Sequence, residues 1–211
     1  MGVTGARTHL ELHGQACFNI EDQPPDKKTI RVSRSFAKPI ITRQKLRENI
    51  ASFANRASEK MRQNGLVASI VYVFALTSRF NPQDYYKGVA SYAPPSPTNH
   101  AIEITRAAVT AFEDIWRPGL KFKKAGVIML GLTRAENIQN NLFSSSSAKI
   151  DARKQRLMVA FDKINTQIGN NKIHLGAIGL NRRAKYSIYT TQNYRSPRYT
   201  TCWEELPSVK A

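Results

Sequence analysis

The chain has 211 residues, of which 32 are Lys or Arg and 15 are Asp or Glu, giving a formal net charge of +17 and a sequence pI ≈ 10.2. That excess points to an anionic partner, nucleic acid before a membrane surface, and the 41% hydrophobic content suffices for one ordinary domain plus extensions. No apolar run approaches membrane-spanning length and Met1 to His13 lacks a signal-peptide core, while Cys17 and Cys202, near opposite ends, make neither a disulfide framework nor a zinc site. The composition predicts a soluble, cytoplasmic protein.

In chain order, Met1 to Ile20 reads as the end of a helix and its exit. Pro24-Pro25 marks an extended linker, because proline resists helix and strand interiors. In Thr29 to Phe36, Ile30 and Val32 alternate with Arg31 and Ser33, the pattern of a strand with one buried and one polar face. Thr42 is placed to cap a helix running to about Asn64, with Leu46, Ile50, Phe53, Ala57 and Met61 inward and Gly65 as its stop. Leu66 to Leu76 is rich in β-branched and aromatic residues and predicts a buried strand, with Lys87 to Tyr92 as its partner.

Thr98 or Asn99 is placed to cap a second helix, with Ile104, Ala108, Ala111, Phe112 and Ile115 inward and Pro118-Gly119 as its end. Phe122 to Leu132 predicts a last strand. The order β-α-β-β-α-β between about Thr29 and Leu132 predicts an α+β unit: a four-stranded sheet with two helices on one face and the other face free. The basic and hydroxyl residues of the first strand are expected on that free face. Beyond Ser144 to Ser147, Ala148 to Ile168 predicts a helix with Leu157, Phe161, Ile164 and Ile168 inward. Ile173 to Leu180 predicts a short strand, and Asn181 to Ala211 is mostly irregular.

Charge is uneven. Residues 149–211 hold 12 basic and 4 acidic side chains, against 20 and 11 in residues 1–148. The basic tail also contains Tyr194, Tyr199 and Trp203, which suit a surface that meets either the parent domain or a partner. The aromatics Phe36, Phe53, Tyr72, Phe74, Phe112 and Trp116 are expected in the core. His9, His13, His100 and His174 have no ligand companions at zinc spacing, so no metal site is expected. The pentapeptide Gln139-Asn140-Asn141-Leu142-Phe143 has the form Q-x-x-L-F beside four serines. That form suits a linker peptide that buries two apolar side chains in a preformed groove, with Gln139 hydrogen-bonding at its edge.

Taken together, Ser33-Arg34-Ser35-Phe36, Thr77-Ser78 with Phe80, Tyr85-Tyr86, Ala90-Ser91, Pro97-Thr98, Ile115-Trp116 with Gly119, and Lys124-Ala125-Gly126-Val127 follow one another as they do in the UmuC family. The chain resembles the C-terminal half of those error-prone Y-family translesion DNA polymerases, the catalytic subunits of polymerase V and its relatives. The resemblance implies four parts: the end of the thumb with a linker (1–27), the DNA-binding little finger (28–134), a linker with the clamp-binding peptide (135–148), and a C-terminal tail domain (149–211). Ser196 to Thr201 resembles the family's tail signature. Two positions depart from the pattern: Asn140, where an apolar residue is common, and the neighbourhood of Cys202, where a basic residue is common.

The resemblance further implies that Arg31, Arg34, Lys121, Lys123 and Lys124, with the hydroxyls of Ser33, Ser35, Thr77 and Ser78, meet phosphates of a primer–template without reading bases. It implies that Gln139, Leu142 and Phe143 dock on the sliding clamp, with UmuD-like subunits as a further candidate partner and no membrane. Family catalysis uses palm carboxylates holding two Mg²⁺ ions. No such setting is present here: Glu113-Asp114 and Glu204-Glu205 read as solvated surface charges. No catalytic residue or bound cofactor is therefore expected in this chain, which is expected not to extend primers by itself. Two alternatives remain. One is a non-catalytic competitor of the intact polymerase. The other is a basic RNA-binding α+β protein, whose sheet commonly exposes stacking aromatics where the first strand here presents Arg31 and Ser33.

Overall fold

A computed structural model of the chain describes residues 2–19, 27–80, 85–137, 148–169, 172–179 and 196–206, with residues 148–151 described for the backbone alone. Helix α1 (Val3–Leu12) buries none of its residues and turns at Gly14, whose φ of 81° is left-handed. Strand β1 (Ile30–Ile40) leads to α2 (Arg43–Gln63), then to β2 (Leu66–Leu76) and β3 (Lys87–Tyr92). Helix α3 (Ala101–Ile115) and strand β4 (Phe122–Arg134) close the βαββαβ unit, and α4 (Ala148–Gln167) follows. The sheet order is β1-β4-β2-β3, with every neighbouring pair antiparallel.

The core lies between the sheet and α2 and α3. Leu46, Ile50, Phe53, Ala57 and Met61 of α2 meet Ile104, Ala108, Ala111, Phe112 and Ile115 of α3 over Val71, Val73, Ala125, Val127 and Met129. This is the helical stripe the 3.6-residue spacing predicts, set against the inward parity of the strands. Thr42 is the N-cap of α2, and Gly65, at φ 65°, takes the left-handed position just past its end, where its N–H reaches Arg62 O.

Several expectations are corrected. β1 does not stop at Phe36. Its register to β4 shifts between Ser35 and Ile40, so a bulge carries Ala37, Lys38 and Pro39 outward before Ile40 pairs with Phe122. The N-cap of α3 is His100 rather than Thr98 or Asn99. Thr98, two residues earlier, accepts the His100 N–H and donates to Glu103, while the Asn99 amide donates to Leu66 O. Residues 173–180 form no strand over their described part; Gly176–Ile178 is a single 3₁₀ turn. Glu113 is not merely solvated, because Arg43 donates to it from Nε at 3.0 Å and ties α2 to α3. Glu205 likewise pairs with Arg198 at 2.9 Å.

The inward face of α4 also differs. Leu157 is 52% and Ile168 65% exposed, whereas Met158 is buried and accepts the Ala101 N–H through its sulfur at 3.4 Å. Phe161 and Ile164 are half-buried. The helix docks by polar contacts as much as by apolar ones. Lys154 donates to Glu103 at 2.7 Å, and Asp162 receives both Nε and Nη2 of Arg62. The tail aromatics Tyr199 and Trp203 are exposed, and Tyr194 lies outside the described residues.

Candidate nucleic-acid interface

The four strands contain no Asp or Glu and seven Lys or Arg: Arg31, Arg34, Lys38, Lys87, Lys123, Lys124 and Arg134. Strand register sorts these by face. On the side away from the helices, one row across the sheet is Arg31, Ile128, Tyr72 and Ser91. The next is Ser33, Gly126, Phe74 and Val89, and the third is Ser35, Lys124, Leu76 and Lys87. Cations and hydroxyls thus stand on the two edge strands and on Lys124, around an apolar middle.

The sequence-predicted residues divide accordingly. Arg31, Ser33, Ser35 and Lys124 come together on this open face. Arg34 does not: it takes the parity of Val32 and Phe36 and lies exposed on the edge strand opposite Ala125. Lys123 donates to Ala37 O at 2.8 Å and so spans the bulge of β1. Lys121 is exposed just before β4. Thr77 is buried, and its hydroxyl accepts the Tyr86 N–H at 2.7 Å, which fixes the β2–β3 junction. Ser78 accepts the Phe80 N–H beside it. Gln139, Leu142 and Phe143 lie outside the described residues. The sequence reading missed Lys87, although strict alternation of Lys87, Val89 and Ser91 puts all three on one face.

Tyr72 and Phe74, both expected in the core, stand on this face, away from α2 and α3. Tyr72 is half-buried, whereas Phe74 is 4% exposed. Phe74 is covered because its ring lies across Gly126 of the neighbouring strand and beneath the Arg31 guanidinium, 4.8 Å from the ring centroid. A Cβ at position 126 would come within 2.8 Å of the ring and 2.3 Å of the Ser33 Cβ. Only glycine lets the aromatic reach across the strand.

Among the described residues no three His, Cys, Asp or Glu side chains come together where they could hold a metal ion. No described helix is long and apolar enough to cross a membrane.

Comparison with known proteins places these features in context. The impB/mucB/samB family C-terminal domain matches residues 27–142, more than half of the chain, and a domain of unknown function (DUF4113) matches residues 155–209. The chain is 33% identical to the protein MucB of Salmonella typhimurium over 207 residues, covering 98% of this chain and 47% of that protein. It is 33% identical to MucB of Escherichia coli over 207 residues and 32% identical to UmuC of Salmonella typhimurium strain LT2 over 206 residues, again covering 47% of each. The chain spans about half the length of the curated relatives it matches.

Proposed function

The chain belongs to the impB/mucB/samB family, and from that membership we propose that it is the DNA-binding and clamp-targeting portion of a Y-family translesion polymerase acting in SOS mutagenesis. The observation that carries the reading is the open sheet face, where Arg31, Lys124 and Lys87 stand with Ser33, Ser35 and Ser91 on strands that contain no carboxylate. A guanidinium, ammoniums and hydroxyls at strand spacing match the phosphates of a DNA backbone. Such contacts fix position and carry no base information. That suits an enzyme whose template is arbitrary in sequence and locally damaged.

The clamp-targeting part rests on the Gln139-Asn140-Asn141-Leu142-Phe143 sequence and on its place between β4 and α4. In this reading Leu142 and Phe143 enter an apolar groove on the sliding clamp, and Gln139 hydrogen-bonds at the rim. UmuD-like subunits remain a further proposed partner.

A direct test compares primer–templates of unrelated sequence in an anisotropy titration with the 211-residue chain. Affinities should agree within about threefold and should fall together when Arg31 and Lys124 are both replaced by alanine. Strong preference for one sequence, or no loss in the double variant, would contradict the reading.

A further inference from the structure

We propose that Arg31, Phe74 and Gly126 form one preorganised phosphate-binding unit, in which Phe74 is the positioning residue for the Arg31 guanidinium. The inference rests on the reading of the open face as the DNA-binding surface and names how its principal cation is held.

Three observations carry it. First, the Arg31 side chain is exposed, yet its guanidinium lies over the Phe74 ring at 4.8 Å, within cation–π range. Among the described residues no carboxylate pairs with it. A guanidinium held over a ring by cation–π attraction, with no carboxylate paired to it among the described residues, keeps its N–H donors for an incoming anion. Those donors form the planar fork that binds two oxygens of one phosphate at once.

Second, Phe74 is almost fully buried although it stands on the sheet face opposite α2 and α3. Arg31 lies over the ring, and Gly126 of the neighbouring strand lies against it. The ring stays fixed even where the sheet is open to solvent, so it is a rigid base for the guanidinium. Third, Gly126 is needed for this arrangement, because a Cβ there would meet both the Phe74 ring and Ser33 at under 3 Å. The same glycine lets Ser33 and the ring approach each other across β4.

Arginine in solution loses rotamer freedom when it binds a phosphate. A side chain already held over a ring has surrendered part of that freedom, so its contact is stronger than that of a free surface arginine. Lysine substitutes only in part, since an ammonium keeps the charge but has neither the flat face nor the fork.

The test is a double-mutant cycle on primer–template affinity at fixed salt, with the folded state of each chain checked by thermal unfolding. Arg31→Ala should weaken binding about tenfold, and Phe74→Leu about threefold although it changes no charge. The double variant should bind like Arg31→Ala alone, because Phe74 acts only through Arg31. Arg31→Lys should lose about as much as Phe74→Leu while keeping the salt slope of the parent chain. Phe74→Met, which also removes the ring, should give the same loss as Phe74→Leu and decides the matter should Phe74→Leu fail to fold. Additive losses in the cycle, or an Arg31→Lys chain that binds as tightly as the parent, would overturn the positioning role alone. An Arg31→Ala chain that binds as tightly as the parent would overturn this inference together with the assignment of the open face.

Discussion

Arg62 of α2 and Asp162 of α4 meet through two hydrogen bonds, Nε to Oδ2 at 2.6 Å and Nη2 to Oδ1 at 2.7 Å, across a hundred residues of sequence. The arginine side chain is 11% exposed and also donates to Ser58 Oγ and Asn99 O, so one guanidinium ties α2, the entry to α3 and α4 together. The region matched to a domain of unknown function is thereby joined to the family's C-terminal domain by its first helix.

Removing Asp162 should therefore loosen more than a surface ion pair. The buried guanidinium would keep two partners and lose its counter-charge. With the carboxylate still partly open to solvent, Asp162→Ala should cost about 1–2 kcal/mol. Urea unfolding of parent and variant chains measures this. An unchanged midpoint would mean that α4 contributes nothing to the stability of the βαββαβ unit.

Met158, not Leu157, should be the apolar anchor of α4. Met158 is 3% exposed against α3, while Leu157 faces solvent. Met158→Ala should cost about 2 kcal/mol and Leu157→Ala less than about 0.5 kcal/mol. The reverse order in unfolding experiments would refute the docking of this helix.

His100 gives the same junction a pH dependence. The ring is buried, and neither nitrogen has a hydrogen-bond partner among the described residues. Burial lowers its pKa below the ordinary 6.5. Glu103 opposes that, while Lys154 of α4 and Arg62 of α2 add to the lowering. Asp162 of α4, paired to Arg62, stands at the same junction. The folded chain thus binds the proton more weakly than the unfolded one, and stability is complete above 6.5 and falls as pH drops below it.

Glu103 acts at lower pH. Burial alone would raise its pKa, but hydrogen bonds from Lys154 and Thr98 outweigh that and lower it below the ordinary 4.5. Its contribution is present above 4.5 and is lost as pH falls through the lower folded value. Urea midpoints should therefore drop between about pH 7.5 and 5.5 in the parent chain and stay flatter in His100→Gln. Equal slopes would remove His100 from the account.

The clamp peptide yields a prediction independent of the sheet. Leu142→Ala/Phe143→Ala should weaken binding of the chain to a sliding clamp by about thirtyfold or more, the loss expected for truncating a buried anchor. Asn140→Leu should tighten it, because asparagine forgoes an apolar contact. A double-alanine chain that binds as well as the parent would reduce the pentapeptide to a loop.

Much of the fold could be read from sequence because its pattern is strong where the core is. The apolar run Leu66–Leu76 and the alternation Lys87–Tyr92 match their strands end to end, and the stripe Leu46 to Met61 faces inward throughout. Most of the misses depend on what an element packs against. Alternation gave Arg31 and Ser33 a polar face, but grouping Arg34 with them ignored that same parity. Phe74 reads as core by hydrophobicity, and its real place depends on Gly126 in another strand. Leu157 and Met158 are equally apolar, and only the position of α3 selects between them. Ile173 and Ile178 are β-branched, but the described residues 173–179 do not join the sheet, so no strand forms there.

Salt dependence of primer–template binding by the 211-residue chain tests the central claim most directly. If about five phosphates are neutralised, log K should fall with log[salt] at a slope of about −4 to −5, and alanine in place of both Arg31 and Lys124 should flatten it by about one unit per lost contact. A slope near zero, or one unchanged by the double substitution, would contradict a phosphate-binding role for the open sheet face.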